Sequence, residues 1–228
     1  MTATAELANP AMPSVNEPQT ETADATFATE AQLPQNGTPA LMRFTVAQFD
    51  RLAELHLIPE KSELVDGQII LLPAPAHTHG FPLEMLHRRL SRQWHEPRYI
   101  ATQATHRFVG TYRPMPDLAL YDAFPDFDAD TDPLPRLIVE VADSTQRYDL
   151  GDKRLRYARE GVPEYWVLDV PARRMHVLRE PVREASDAVS AWRSAEIVED
   201  EVTPLCAPDC RIVLEEVLPP RRSGESRS

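Results

Sequence analysis

The stretch that most constrains this chain is residues 137–157, LIVEVADSTQRYDLGDKRLRY. Residues 137–141 form a nearly continuous apolar run, the pattern of a strand covered on both faces. Glu140 interrupts it, and a carboxylate in such a place needs a partner. Thirteen residues later Lys153 falls in a segment with helical patterning over about 150–160, where Leu150, Tyr157 and Ala158 share one side. Gly161 followed by Val162-Pro163 is a glycine stop for that helix. Tyr165-Trp166-Val167-Leu168 then reads as a second buried strand, which makes a strand–helix–strand unit. Upstream, Pro116-Asp117 opens another apolar run, Leu118-Ala119-Leu120. Two carboxylates at strand ends and a lysine on the following helix suit metal-assisted hydrolysis.

The 228 residues suffice for one core with tails. No run of about 18 apolar residues predicts a membrane span, and the N-terminal residues lack the basic and apolar regions of a signal peptide. A cytoplasmic location with no membrane partner is therefore expected. The net charge of -12 excludes a protein that simply coats nucleic acid and requires any grip on DNA or RNA to be local. Cys206 and Cys210 are the only cysteines, so reduced thiols are expected rather than a zinc site.

Residues 1–40 contain five acids and no Lys or Arg. With so few large apolar residues they are expected to form a disordered acidic tail. A folded domain is expected over 41–218 and a flexible tail over 219–228. Thr45-Val-Ala-Gln has capping-box spacing and starts a helix over 46–56. Asp66-Gly67 between two strand-like runs predicts a hairpin over 62–72. Leu83, Leu86, Leu90 and Trp94 mark one face of a helix over about 80–95, and Arg88, Arg89 and Arg92 lie toward its end. Strands are expected over 99–109, 117–121, 175–178, 191–198 and 211–214. The acidic loop 122–132 has aspartates at alternate positions, but Thr131 and Leu137 stand where a calcium loop needs Gly and Glu.

If Asp117 and Glu140 end neighbouring strands, they can jointly hold a hard cation such as magnesium. Such a cation eases deprotonation of water and offsets charge on a phosphate oxygen, while an ammonium at Lys153 would stabilise the transition state electrostatically. Each residue also has an ordinary structural explanation: a solvated strand end for a carboxylate, or an i,i+4 pair with Asp149 for Lys153.

Several blocks together resemble the bacterial Uma-type restriction endonuclease family. They are Glu63-Leu64-Val65-Asp66-Gly67, Pro116-Asp117, Val139-Glu140-Val141-Ala142-Asp143-Ser144-Thr145, Tyr148-Asp149-x-Gly151-x-Lys153 and the long block over 157–169. The resemblance covers roughly 43–218. It implies a PD-(D/E)xK nuclease-like α/β fold, a restriction-endonuclease-like central mixed sheet flanked by helices, with an N-terminal helix and hairpin. It also implies Asp117 and Glu140 as metal ligands, the Val141 carbonyl as an extra ligand and Glu63 as a further metal-site residue. Ala142 stands where the superfamily signature places lysine, which makes Lys153 on the next helix the candidate for that role. Asp143, Ser144, Asp149, Tyr157, His77 and His79 also fall on family positions, with capping, packing or turn roles as the simpler explanations.

The expected function is a magnesium- or manganese-dependent endonuclease acting on nucleic acid, with DNA favoured and a homodimer plausible for double-strand cleavage. Two alternatives belong to other classes. One is a catalytically inactive nuclease-fold binding module, and the other a metal-dependent phosphohydrolase acting on a small substrate.

Overall fold

The computed structural model describes residues 41–74, 77–126, 129, 131–182 and 191–221. The tail expected over 1–40, residues 222–228 of the tail expected over 219–228, and the loop aspartates 128 and 130 lie outside them. Helix α1 is Val46–Glu54, capped by the reciprocal Thr45–Gln48 bonds that the sequence predicts. Strands β1 (Ser62–Val65) and β2 (Gln68–Leu71) form the expected hairpin. Its turn places Asp66 at φ 50° and Gly67 at φ 76°, the left-handed geometry of a two-residue hairpin loop. A short strand, β4 (Tyr112–Arg113), pairs with the other edge of β1.

The main sheet has six strands in the order β3-β5-β6-β7-β8-β9. They are β3 (Tyr99–Thr102), β5 (Leu118–Tyr121), β6 (Leu137–Ala142), β7 (Glu164–Asp169), β8 (Arg174–Val182) and β9 (Ala191–Val198). Only β6 and β7 run parallel, and they are joined by the predicted helical crossover. That crossover is three pieces: α3 (Gln146–Tyr148), a π turn (Asp149–Lys153) and α4 (Arg154–Glu160). Gly161, at φ 84°, closes α4 as the sequence predicts.

Alternation along β6 divides the core. Leu137, Val139 and Val141 pack with Leu83, Leu86 and Leu90 of α2 (His77–Ser91) and with the short α5 (Leu214–Val217). Ile138 and Ala142 pack with Tyr157, Val162 and Tyr165. Helices thus cover both faces, which is why β6 and β7 are buried along their whole length.

Several boundaries differ from expectation. The strand expected over 99–109 stops at Thr102, because Gln103 turns left-handed at φ 47°. Helix α2 begins three residues earlier than the expected start and ends at Ser91, with Trp94 buried just beyond it. The strand at 211–214 shrinks to β11 (Ile212–Val213), paired with β10 (Glu201–Val202). Both cysteines are free thiols.

Candidate active site

Leu118 pairs with Val139 in the antiparallel β5–β6 ladder, so Asp117, one residue earlier, stands opposite Glu140. Residues opposed in this way project from the same face. Glu140 occupies the row of Ile138 and Ala142, directed toward α4 rather than α2. The Val141 backbone N–H donates to Asp117 Oδ2 at 2.8 Å, and the Asp117 N–H approaches Glu140 Oε2 at 3.4 Å. Strand pairing therefore holds the two carboxylates together.

The π turn brings in the lysine. Lys153 Nζ donates to Glu140 Oε1 at 2.9 Å and lies 3.2 Å from Glu63 Oε1 and 3.8 Å from Asp149 Oδ1. One helical turn on, the Tyr157 hydroxyl donates to the same Glu140 oxygen at 3.0 Å. Glu63 arrives from β1, where its two oxygens accept from the Met115 N–H and the Tyr148 hydroxyl, each at 2.9 Å. The Thr145 hydroxyl donates to Asp149.

Burial sets the electrostatics. Glu63, Glu140, Asp149 and Lys153 are all buried. Burial raises the Glu140 carboxyl well above its ordinary range; Lys153 opposes the rise, and Asp149, Asp117 and Glu63 add to it. Burial also works against the Lys153 charge, yet Glu140, Glu63 and Asp149 together hold the ammonium firmly protonated. Asp149 is raised, chiefly by burial. Asp117 behaves oppositely: burial would raise it, but hydrogen bonds and charge from His79, with the Val141 N–H and Gln103, hold it below the usual carboxylate value.

Asp117, Glu140, Val141, Asp149 and Lys153 line one cleft of about 80 Å³, room for a few waters. Asp143, Ser144 and Thr145 line the same cleft. His79 Nε2 lies 3.1 Å from Asp117 Oδ1, and Gln103 Nε2 donates to that oxygen at 3.2 Å. Gln103 is the polar residue that the sequence reading missed. It falls inside the strand expected over 99–109, where nothing sets it apart, and its position depends on the left-handed backbone that ends the observed strand at Thr102. Of the two histidines on family positions, His79 is brought to the cleft, while the side chain of His77 lies outside the described residues.

A hard divalent cation fits this donor chemistry. Three buried carboxylates surround a single ammonium, Asp117 stands beside Glu140, and among the described residues Glu140 Oε2 has only the long contact with the Asp117 N–H. Among the described residues no group of three or more His, Cys, Asp or Glu side chains is arranged to hold a metal ion. The fit is thus to a site of one or two carboxylates that leaves the cation most of its waters, as magnesium prefers. Glu63 reaches Lys153, but its oxygens are taken by Met115, Tyr148 and Lys153.

The central mixed sheet flanked by helices is an α/β fold, with Asp117, Glu140 and Lys153 gathered at one cleft. Residues 46–212 match the Uma2 family model, described as "Putative restriction endonuclease", and the chain belongs to that family. The fold is similar to the crystal structure of "a putative nuclease belonging to DUF820" from Anabaena variabilis ATCC 29413. That match has a TM-score of 0.54 and 16% identity, over 73% of this chain and 96% of the other. No curated protein matches the chain. Among the described residues no helix is long and apolar enough to cross a membrane.

Proposed function

We propose that this protein is a metal-dependent endonuclease that hydrolyses phosphodiester bonds in nucleic acid, with DNA as the preferred substrate. The observation that carries this reading is the direct opposition of Asp117 and Glu140 at the cleft, with Lys153 bonded to Glu140. Asp117, Glu140 and the Val141 carbonyl would hold magnesium or manganese. When bound, the ion makes water a better nucleophile and offsets charge on the phosphate.

The chain's own residues supply the rest. His79, Gln103 and the Val141 N–H keep Asp117 ionised and oriented. Lys153 holds Glu140 in place and sets a fixed positive charge at the cleft wall, where it can stabilise negative charge developing on a phosphate oxygen. Glu63 and Asp149 keep that ammonium protonated, and Tyr157 fixes the Glu140 oxygen it shares with Lys153. A homodimer would present two such sites to a duplex, and the cytoplasm would provide both DNA and magnesium.

The test is incubation of the full-length protein with magnesium or manganese and single- and double-stranded DNA. Cleavage is expected, with loss in Glu140→Gln. Intact substrates, alongside an active control nuclease, would overturn the assignment. One observation favours the inactive-module alternative: Lys153 is already satisfied by carboxylates. Calorimetry showing no manganese binding would decide for that alternative.

A further inference from the structure

A second depression adjoins the catalytic cleft. It measures about 680 Å³, within the size range of sites for small organic ligands. Leu72, Pro73, Ser144, Thr145 and Tyr148 belong to both its wall and that of the cleft, so the two spaces share a side. The groove's own surface adds Ile70 and Leu71 from the hairpin, with Leu71 60% exposed. Arg147 and Asp152 supply its charges.

Gly151 also lines this groove, within the π turn. Glycine in a helix interior costs about 0.5–1 kcal/mol relative to alanine, so a structural reason for it would be expected. Neither usual reason applies. Its φ is not positive, and a Cβ built there would meet nothing within 4 Å. A side chain at this position would instead project into open space on a wall of the groove. The glycine keeps that space clear.

An occupant must suit apolar walls, a tyrosine ring, hydroxyls and a position next to the site of phosphodiester cleavage. A nucleobase meets all four conditions, having flat faces for apolar and aromatic surfaces and polar edges for hydroxyls. Arg147 at the groove and Lys61 at the cleft provide a cation in each space for flanking phosphates. A base paired and stacked in a duplex cannot enter such a groove without leaving its stack.

We propose that the groove floored by Gly151 and walled by Leu71 and Tyr148 binds the unstacked base of a nucleotide next to the scissile phosphate. The substrate class is thus nucleic acid with an unpaired strand at the cleavage point. This rests on the nuclease reading for the position of the scissile bond, but the groove can be tested by binding alone.

Full-length protein with Glu140→Gln, which prevents turnover, is titrated with fluorescently labelled single-stranded DNA and with the same sequence as a blunt duplex, in the presence of magnesium. Binding of the single strand at least about tenfold tighter than the duplex is expected. A matching ribo-oligonucleotide separates DNA from RNA as the source of the base. Adding Gly151→Leu, which fills the groove, should weaken single-strand binding about tenfold with an unchanged melting temperature. Leu71→Glu, on an exposed hairpin position, gives a second route to the same loss if Gly151→Leu does not fold.

Equal binding of single strand and duplex, or no loss with either groove variant, overturns the proposal. Cleavage of blunt duplex by the unmodified protein with no strand preference would do so while leaving the nuclease reading intact. Tight, groove-dependent binding with no cleavage by the unmodified protein would sustain the groove and remove the nuclease reading.

Discussion

Lys153 and Tyr157, one helical turn apart, donate to the same oxygen of Glu140. The carboxylate is therefore fixed by neighbours on a single helix, and its other oxygen is left toward Asp117. Glu140→Gln keeps a hydrogen-bonding group of the same shape, so folding should survive while metal-supported cleavage falls at least about 100-fold. Circular dichroism checks the first expectation and single-turnover cleavage the second. Wild-type cleavage in this variant would remove Glu140 from the site.

Lys153→Met should behave differently. It leaves Glu63, Glu140 and Asp149 buried without their ammonium, and the cost of breaking a buried pair is about 3–5 kcal/mol. Urea denaturation should show that loss, and magnesium should recover part of it by offsetting the carboxylates. A stability within about 0.5 kcal/mol of wild type would mean that these ion pairs contribute little.

Metal affinity should rise with pH. Burial raises the Glu140 carboxyl against the pull of Lys153, with neighbouring carboxylates adding to the rise, so a cation binding there competes with protons at a higher pH than it would at an ordinary carboxylate. Calorimetry in buffers of different ionisation enthalpy should detect proton release on binding, and pH-independent affinity would contradict it.

His106 gives a pH dependence away from the site. Burial, opposed by the attraction of Asp132 and aided by the charges of Arg113 and Arg107, pushes its pKa down from 6.5 to about 4. In the unfolded chain it takes up a proton as pH falls below about 6.5, but in the folded chain it does so only near 4. Its contribution is fully present above 6.5 and is lost as pH falls through that window, by up to about 3 kcal/mol. His106→Asn should flatten this part of the stability profile. An unchanged slope would assign the effect to other groups.

The hairpin turn offers a local test. A Cβ on Gly67 would lie 2.9 Å from Arg43 Cβ and 3.1 Å from the Phe44 carbonyl oxygen, on a backbone at φ 76°. Gly67→Ala should cost about 1–3 kcal/mol, measurable by thermal melting. By contrast, Asp66→Asn chiefly weakens the pair that the exposed Asp66 carboxylate makes with Arg156 and should cost less than about 1 kcal/mol.

The sequence was most informative where the chemistry is local. The Asp-Gly hairpin, the Thr45–Gln48 cap, the buried strands around Glu140 and Trp166 and the glycine stop at Gly161 each follow from a few neighbouring residues. Asp117, Glu140 and Lys153 could be brought together because a strand pattern, a helix pattern and the resemblance pointed the same way. The bond from Tyr148 to Glu63 spans 85 positions, and no periodicity reveals it. Gln103 was hidden by its left-handed backbone. Glu164, in the distinctive block before Trp166, is a buried clasp that accepts from the Trp166 indole, Arg179 and the Leu205 N–H. Its pattern was visible, but its partners depend on tertiary folding.

The π turn at Asp149–Lys153 also sets the angular phase between the two ends of the crossover. One residue in an α-helix corresponds to about 100° of rotation, and a π turn accommodates an added residue within a continuous helix. Deleting Asp152 to restore a regular helix would swing Thr145 and Tyr148 by about that angle relative to Lys153. The cleft wall and the lysine would then no longer face the same space, although the amino acids at both would be unchanged.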